Sequence, residues 1–373
     1  MRQGITLFEQ LQALLPRPVV WQATAACQGD FKVQVATCWS QVVWLMLAVL
    51  TRQRSLRHIG QSLKTRLTYL RRFGLGSVDR STLSHANARR PHAVAEALFQ
   101  ALLLRGQRIA PRHPFRFRGR LYSLDATVIH VCHTLQQWAV WAPQRAGIKL
   151  HVALDHGGEL PTLIDITSAR VYERSVARDW HFPEGSVLCF DRGYFDSGWF
   201  RDLLQRRVVF VTRWAYGARY RVVRERPVEA GGPVRADQVI RFAGKTSRVK
   251  FHGTLRLITY RDPNSGRTFQ FVTNQKRWSA QRIADIYQAR WRIELFFKWL
   301  KQQLPVLHFY GHSANAVRWQ LYLALCVYLL LSWIRFRTRL EQSLTAIARR
   351  LEPHLFDIAT LDDLLHGTYQ FQT

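Results

Sequence analysis

Acidic side chains are scarce in this chain: 25 Asp and Glu stand against 54 Lys and Arg in 373 residues. Cysteine is scarcer still. The five are Cys27, Cys38, Cys132, Cys189 and Cys326, with no Cys-x-x-Cys pair, which excludes a zinc ribbon and a disulfide framework. All lie beside apolar residues, the setting of buried thiols in a reducing cytoplasm. Nor is there an uninterrupted apolar run of the roughly 20 residues that a membrane span requires. Val33 to Leu50 is broken by Gln34, Ser40 and Gln41, and Leu321 to Ile334 is too short. Both are expected to be buried core helices. The opening MRQGITLFEQ has no signal-peptide apolar core, so a cytoplasmic protein with no membrane partner is expected.

The balance leaves a formal net charge of +29. Each phosphate neutralised by Lys or Arg releases condensed counterions, so such an excess favours a polyanionic partner. Ribosomal RNA or an anionic membrane surface satisfies the same arithmetic. Here the basic residues are spread through segments that also carry apolar and aromatic periodicity, and are not gathered in a tail. That points to a globular protein handling DNA or RNA.

Residues 1–104 read as a helical DNA-binding domain. Apolar spacing in FEQLQALL, the Val33 to Leu50 run, RHIGQSLKTRLTYLRRF and PHAVAEALFQALL is helical. Arg52, Arg54, Arg57, Lys64, Arg66, Arg71, Arg72, Arg80, Arg89 and Arg90 crowd this region. SVDRSTLSHANARR, Ser77 to Arg90, has the make-up of a helix-turn-helix reading segment in which Ser81 or Thr82 caps a helix presenting His85, Asn87 and Arg89. An ordinary surface helix fits the same composition. An Arg-rich linker, 105–120, follows.

The pattern then turns extended. LYSLDATVIHVC, IKLHVALD and LPTLIDITS form a three-stranded antiparallel meander, its last two strands joined at His156-Gly157-Gly158. A short helix over Val171 to Trp180 precedes SVLCFD, an apolar run of the kind buried central strands show, ending in Asp191. A helix, Ser197 to Arg206, and the strand VVFVTR complete the series. Strand, strand, strand, helix, strand, helix, strand is the order of a ribonuclease H-like sheet. The expected fold is α/β: a ribonuclease H-like core at 121–215 and 266–305, an inserted β subdomain at 216–265, and a helical C-terminal layer at 306–373.

Few acids are available, so those at strand ends in apolar surroundings stand out. Asp125 interrupts Leu124 and Val128, and Asp191 ends Val187 to Phe190. Desolvating a carboxylate there costs several kcal/mol unless a cation compensates, and Mg²⁺ or Mn²⁺ suits hard oxygen ligands. Two such ions, about 3.5–4 Å apart, serve an in-line phosphoryl displacement. A third carboxylate is then needed. Glu294 offers it from AQRIADIYQARWRIELFFKWLKQQL, Ala280 to Leu304. Read as one helix capped by Ser279 and stopped by Pro305, this stretch puts Tyr287, Arg290, Glu294, Lys298 and Lys301 in a stripe about 80° wide at roughly 100° per residue. Ile286, Ala289, Ile293, Phe296, Phe297, Leu300 and Leu304 lie opposite. A solvated face with a Glu294–Lys298 pair is the plain alternative, as is a salt bridge for Asp125 or a turn role for Asp191. Asp155 and Asp165 compete as ligands, Asp155 reading first as a turn residue. His130, His133, His151 and His156 lack the helical spacing that would support zinc.

Tyr287-x2-Arg290-x3-Glu294-x6-Lys301 resembles the Tyr-Arg-Glu-Lys signature of DDE-class insertion-sequence transposases, in the family numbered four. SLDAT around Asp125 and the turn Asp191-Arg192-Gly193-Tyr194 are similar to that family's first and second catalytic Asp motifs. FVTN before the helix matches too, and the helical N-terminus with STLSHANARR resembles the domain that accompanies it. The resemblance implies that Asp125, Asp191 and Glu294 are the catalytic triad, binding two Mg²⁺ or Mn²⁺ ions. It implies contacts from Tyr287, Arg290 and Lys301 to phosphates of the transposon end, with Lys298 on the same stripe. The activity implied is cleavage at terminal inverted repeats and joining of 3′-hydroxyl ends to target DNA, cut-and-paste through a hairpin in the better-known relatives. A base flipped onto a tryptophan belongs to that scheme. Trp291 lies about 40° from Tyr287 on the same helix, and Trp278 and Trp214 are the other options. Two ends must meet, so a homodimer on DNA is expected, in a bacterial, nucleoid-associated setting. Two alternatives share these features: a non-catalytic DNA-binding regulator of transposition, and a metal-dependent nuclease that cuts without joining.

Overall fold

A computed structural model describes residues 5–72, 75–131, 140–142, 145–303 and 309–367. The chain divides into two compact units: 1–111 with 129–148 and 297–373, and 112–128 with 149–296.

Capping chemistry sets the helix starts of the first unit. Thr6 Oγ1 accepts from the Glu9 N–H while the Glu9 carboxylate takes the Thr6 N–H at 2.5 Å, a reciprocal box opening the helix Leu7–Ala13. Thr37 caps Cys38–Leu50, so the apolar run becomes helical only from Cys38, and it is buried along its whole length. Arg66 breaks the next expected helix into Leu56–Thr65 and Leu67–Arg71, its guanidinium turned back onto Ser62 Oγ at 2.6 Å. A further helix, Arg17–Ala26, lies within the region read as helical. The helix Ala314–Thr338 is longer than the apolar run suggested and by length and composition would pass for a membrane span, yet 89% of its apolar window is buried inside the protein. It packs against Ala93–Ile109 and Cys38–Leu50. Ala93–Ile109 takes up the first five residues assigned to the linker.

N- and C-terminal helical regions thus share one core. Asn315 Nδ2 donates to the carbonyls of Asn87 and Arg90, at 3.0 and 2.7 Å, and Trp319 Nε1 donates to Arg90 O at 2.6 Å. This revises the reading of Ser77 to Arg90. The helix there, Arg80–Arg89, starts from Asp79 and not from Ser81 or Thr82. Asn87 is buried and its Oδ1 accepts from Gln41 Nε2 at 2.9 Å, which removes it from any DNA-facing surface. His85 and Arg89 remain exposed.

The sheet is built from β1 (Leu121–Val131), β2 (Val140–Ala142), β3 (Arg145–Asp155), β4 (Leu160–Ser168), β5 (Val187–Phe190), β6 (Val209–Arg213), β7 (Tyr220–Arg226), β8 (Val234–Phe242), β9 (Leu255–Arg261) and β10 (Thr268–Thr273). Its order is β2-β3-β1-β5-β6-β10-β9-β8-β7, with β4 also on β3. β1, β5 and β6 are parallel: Leu121 faces Val187, and Val187 faces Val209. The start of β1 is bonded to the end of β3, His156 N to Leu121 O at 2.8 Å. The four-residue β3–β4 turn puts Gly158 and Glu159 at φ 75° and 61°, left-handed backbone that glycine adopts without cost.

The strands of 216–265 do not make a separate subdomain. β10 pairs β6 along one edge and β9 along the other, both antiparallel, so β7, β8 and β9 lengthen the same sheet. One face carries the helix Ala280–Ala289, with Ile283, Ala284 and Ile286 against Leu121, Val187, Val211, Ile258 and Phe271. The other carries the helix Ser197–Gln205, whose Trp199 and Phe200 pack on Phe190 and Phe210. The segment before β1 is docked by backbone contact. A Cβ on Gly119 would lie 1.9 Å from Gly185 O, so no side chain fits there.

Candidate active site

Parallel pairing of β1 with β5 ends at Leu124 opposite Phe190. The next residue on each strand is an acid, Asp125 and Asp191. Asp191 follows the last residue of β5, and Asp125 lies mid-way along β1 at the same level, where its parallel pairing with β5 stops. Adjacent strands run about 4.8 Å apart, and the ends of parallel strands are where such sheets present their ligand sites. Asp125 Oδ1 accepts from Ala126 N at 2.8 Å. Asp191 Oδ1 takes the Gly193 N–H at 2.8 Å, and Thr212 Oγ1 donates to the Asp191 carbonyl at 3.1 Å. Short backbone ties hold both carboxylates.

Glu294 does not arrive on a single straight helix. Ser279 caps Ala280–Ala289, which ends at Arg290, and a second helix runs Trp291–Gln303. At the break the bonds tighten to three residues, Arg290 N to Tyr287 O and Ile293 N to Arg290 O, both 3.1 Å. A tertiary contact accounts for it: Arg290 Nη1 reaches Asp125 Oδ2 at 3.1 Å and Nη2 reaches Glu294 Oε1 at 2.5 Å. Glu294 is therefore paired one turn back with Arg290, and not one turn on with Lys298 as the plain alternative had it. Ile286, Ile293, Phe296, Phe297 and Leu300 are buried as the apolar face requires. Lys298 is exposed, and burial pulls the half-buried Lys301 amine below its usual range. The stop at Leu304 and Pro305 lies outside the described residues.

Burial pushes the Asp125 carboxyl up to about 6; Arg290 and the Ala126 N–H oppose this, while Asp191 and Glu294 add to it. Like charges that converge need a cation between them, and here the cation is Arg290. Among the described residues no three of His, Cys, Asp and Glu stand close enough, as they are, to share a metal ion. In this metal-free arrangement two of the three acids are bridged by a guanidinium, with Asp191 alongside.

Tyr287 is largely buried, its ring 4.8 Å from that of Phe271, and burial raises its phenol to about 12. Trp291 is 59% exposed and lines a recess of about 340 Å³ with Tyr260, Phe269, Phe271, Tyr287 and Arg290. Trp278 is instead stacked on Phe117, and Trp214 is buried with its Nε1 on Ala218 O. Asp155 and Asp165 have structural partners: Arg120 and Gly157 N for the first, Trp180 Nε1 for the second. His151 meets Thr167 Oγ1 and His156 meets Ser123 Oγ. His133 lies outside the described residues.

Two groups escaped the sequence reading. Glu173, paired with Lys149 at 3.0 Å, and Asp191 flank Gly193 so closely that a Cβ there would lie 3.5 and 3.1 Å from their oxygens. The Tyr194 hydroxyl is buried without a hydrogen-bond partner among the described residues, and burial, then Asp125, Glu173 and Asp191, holds it well above its usual range. The Asp191-Arg192-Gly193-Tyr194 turn was the available signal, but nothing in it announces which way the ring points.

Comparison with known proteins identifies the family. The family model "Transposase DDE domain" matches residues 116–330, and one for a domain of unknown function, DUF4372, matches residues 3–76. A Sinorhizobium fredii protein named as the transposase y4zB is 35% identical over 72% of this chain and 74% of its own. A Geobacillus stearothermophilus protein named as the transposase of insertion sequence element IS5377 is 30% identical over 73% of this chain and 72% of its own. A solved piggyBac transposase synaptic complex with hairpin DNA aligns over 98% of this chain and 81% of its own, at 11% identity and a TM-score of 0.47. With 215 consecutive residues under the DDE model and named transposases 35% and 30% identical over 74% and 72% of their own length, the chain belongs to the DDE transposases and is a DNA transposase.

Proposed function

We propose that this enzyme, a member of the insertion-sequence family numbered four, cuts at the terminal inverted repeats of its element and joins the 3′-hydroxyl ends to target DNA. Asp125, Asp191 and Glu294 would hold two Mg²⁺ or Mn²⁺ ions. The observation that carries this reading is Asp125 and Glu294 meeting on one guanidinium beside Asp191. The donors are all carboxylate oxygens, and Asp125 stays hard to ionise despite Arg290. Such a set fits a hard divalent cation. When bound, such ions supply Lewis-acid activation of the attacking hydroxyl and neutralise the leaving oxygen.

The rest belongs to the chain's own residues. Arg290, on leaving Asp125 and Glu294, would turn to a phosphate of the DNA end with Tyr287, Lys298 and Lys301. Trp291, in its aromatic recess, would stack on an extruded base. The order β4-β3-β1-β5-β6, with three parallel strands and β3 reversed, supports a ribonuclease H-like core. Exposed Arg54, Arg57, Lys64, Arg71 and Arg72 support DNA binding by the N-terminal helices. A cytoplasmic homodimer joining two ends, and cut-and-paste movement through a hairpin, complete the proposal.

Incubating the full chain with DNA carrying the element's end and Mg²⁺ tests it. Cleavage followed by joining is expected. Cutting without joining would leave a nuclease, and neither would leave a DNA-binding regulator. Arg290→Gln provides a second check. Removing the internal cation should tighten Mn²⁺ binding in the absence of DNA about ten-fold, or about 1.4 kcal/mol, as read by calorimetric titration, while weakening binding of the DNA end. Mn²⁺ affinity that is unchanged or lower would show that Arg290 does not compete for these carboxylates.

A further inference from the structure

Beside Asp191 the rim of the sheet carries a second recess that the catalytic reading does not use. Side chains alternate along β9 and β10. Tyr260, Phe269 and Phe271 line the aromatic recess, while Thr259, Thr268 and Gln270 line a polar one of about 510 Å³. Arg192, Arg213 and Tyr216 also line it. Arg192 follows Asp191 in the chain, and its guanidinium lies 3.9 Å from the centroid of the Tyr216 ring. Arg213 closes β6 opposite Phe271, its guanidinium 5.0 Å from the Phe269 centroid, and so stands on the rim between the two recesses.

Among the described residues neither arginine forms an ion pair, and the Nε of each is buried without a hydrogen-bond partner. Other arginines of this unit do find acids, as Arg178 does in Asp196 and Arg207 in Glu184. Two planar, weakly hydrated forks left without carboxylates match the oxygens of a phosphodiester. The aromatic face under Arg192 limits the rotamers it must give up on binding.

We propose that this recess holds a phosphodiester of the DNA strand passing Asp191, gripped by Arg192 and Arg213, with Tyr216 bracing Arg192. It rests on the transposase reading for the identity of the ligand as a DNA strand, but the grip needs no metal. The probe is a fluorescent oligo-dT of about 20 nucleotides, titrated with the full chain in EDTA over a salt series. The double variant Arg192→Gln/Arg213→Gln should weaken binding about ten-fold at low salt and lower the salt slope by about 1.4, two contacts at about 0.7 each for a single strand. Arg192→Lys keeps the charge without the planar face, so it should keep the slope and lose part of the affinity.

Tyr216→Glu, at a position 86% exposed, puts a carboxylate beside both guanidiniums and should match the double variant. It keeps the question answerable if the arginine changes unfold the chain. Wild-type affinity and slope in either the double variant or Tyr216→Glu would overturn the proposal, as would a wild-type chain that does not bind the oligonucleotide. Failure of the metal reading looks different: Asp125→Asn would go on cutting, and these titrations would be unaffected.

Discussion

Asp125→Asn should stop DNA cleavage and, in the same protein, raise the melting temperature measured without metal. The loss of activity should be about 10³-fold or more, because one of three converging carboxylates is removed from charge stabilisation of the transition state. The gain in stability comes from the same feature. Burial lifts the Asp125 carboxyl from 3.8 to about 6. Between those values the folded chain holds a proton that the unfolded chain has lost, so stability falls as pH rises from 3.8 through 6, and the full cost is present above that. A shift of this size corresponds to about 3 kcal/mol at most. Asn keeps the shape and drops the charge, and Arg290 retains Glu294. Calorimetry in EDTA should show the variant melting higher at pH 7.5, the difference closing towards pH 4. A variant that melts lower at pH 7.5, or one that still cuts, would contradict the charge crowding on which this site is built. Stored repulsion of this sort is how an active site trades stability for function.

What the chain's one-dimensional pattern discloses follows from how far each feature reaches. β5 and β6 fall within a residue or two of their apolar runs, because a buried parallel strand announces itself locally. Asp125 and Asp191 stood out for a related reason: an acid that interrupts or ends an apolar run is conspicuous in a chain with so few. The break at Arg290 was not visible. A helical wheel assumes a straight helix, and the contact that bends this one comes from Asp125, 165 residues earlier. Asn87 misled in the same way, since its burial depends on Gln41, 46 residues before it. The β character of 216–265 was legible, but not which edge its strands join, since a period of two carries no information about the partner. Glu173 and Tyr194 went unnoticed because their nearness to Asp191 is a matter of packing on the far side of the sheet.

Arg256→Met should be among the most destabilising single substitutions in this unit, at about 3–5 kcal/mol. Arg256 is 1% exposed, and its Nε and Nη2 grip the two oxygens of Asp237 at 2.8 and 2.6 Å. Its Nη1 donates to Trp278 O at 2.5 Å. Arg226 joins the same carboxylate at 3.3 Å and donates to Lys276 O at 2.7 Å. Strands β7, β8 and β9 are thereby tied to the turn just before Ser279, the residue that caps the helix leading to Arg290 and Glu294. Removing Arg256 leaves the Asp237 charge buried with one partner lost. Asp237→Leu leaves the guanidinium buried without its carboxylate. The double variant Arg256→Met/Asp237→Leu removes both desolvation costs and fills the space with apolar atoms, so it should be more stable than either single variant. Urea midpoints of the three variants decide the matter, and a double variant that simply adds the two losses would show that the pair is not coupled. The same tie carries a functional consequence. Each single variant should slow cleavage by loosening the start of the helix that presents Glu294, and the double, having lost the anchor to Trp278, should regain stability without regaining rate.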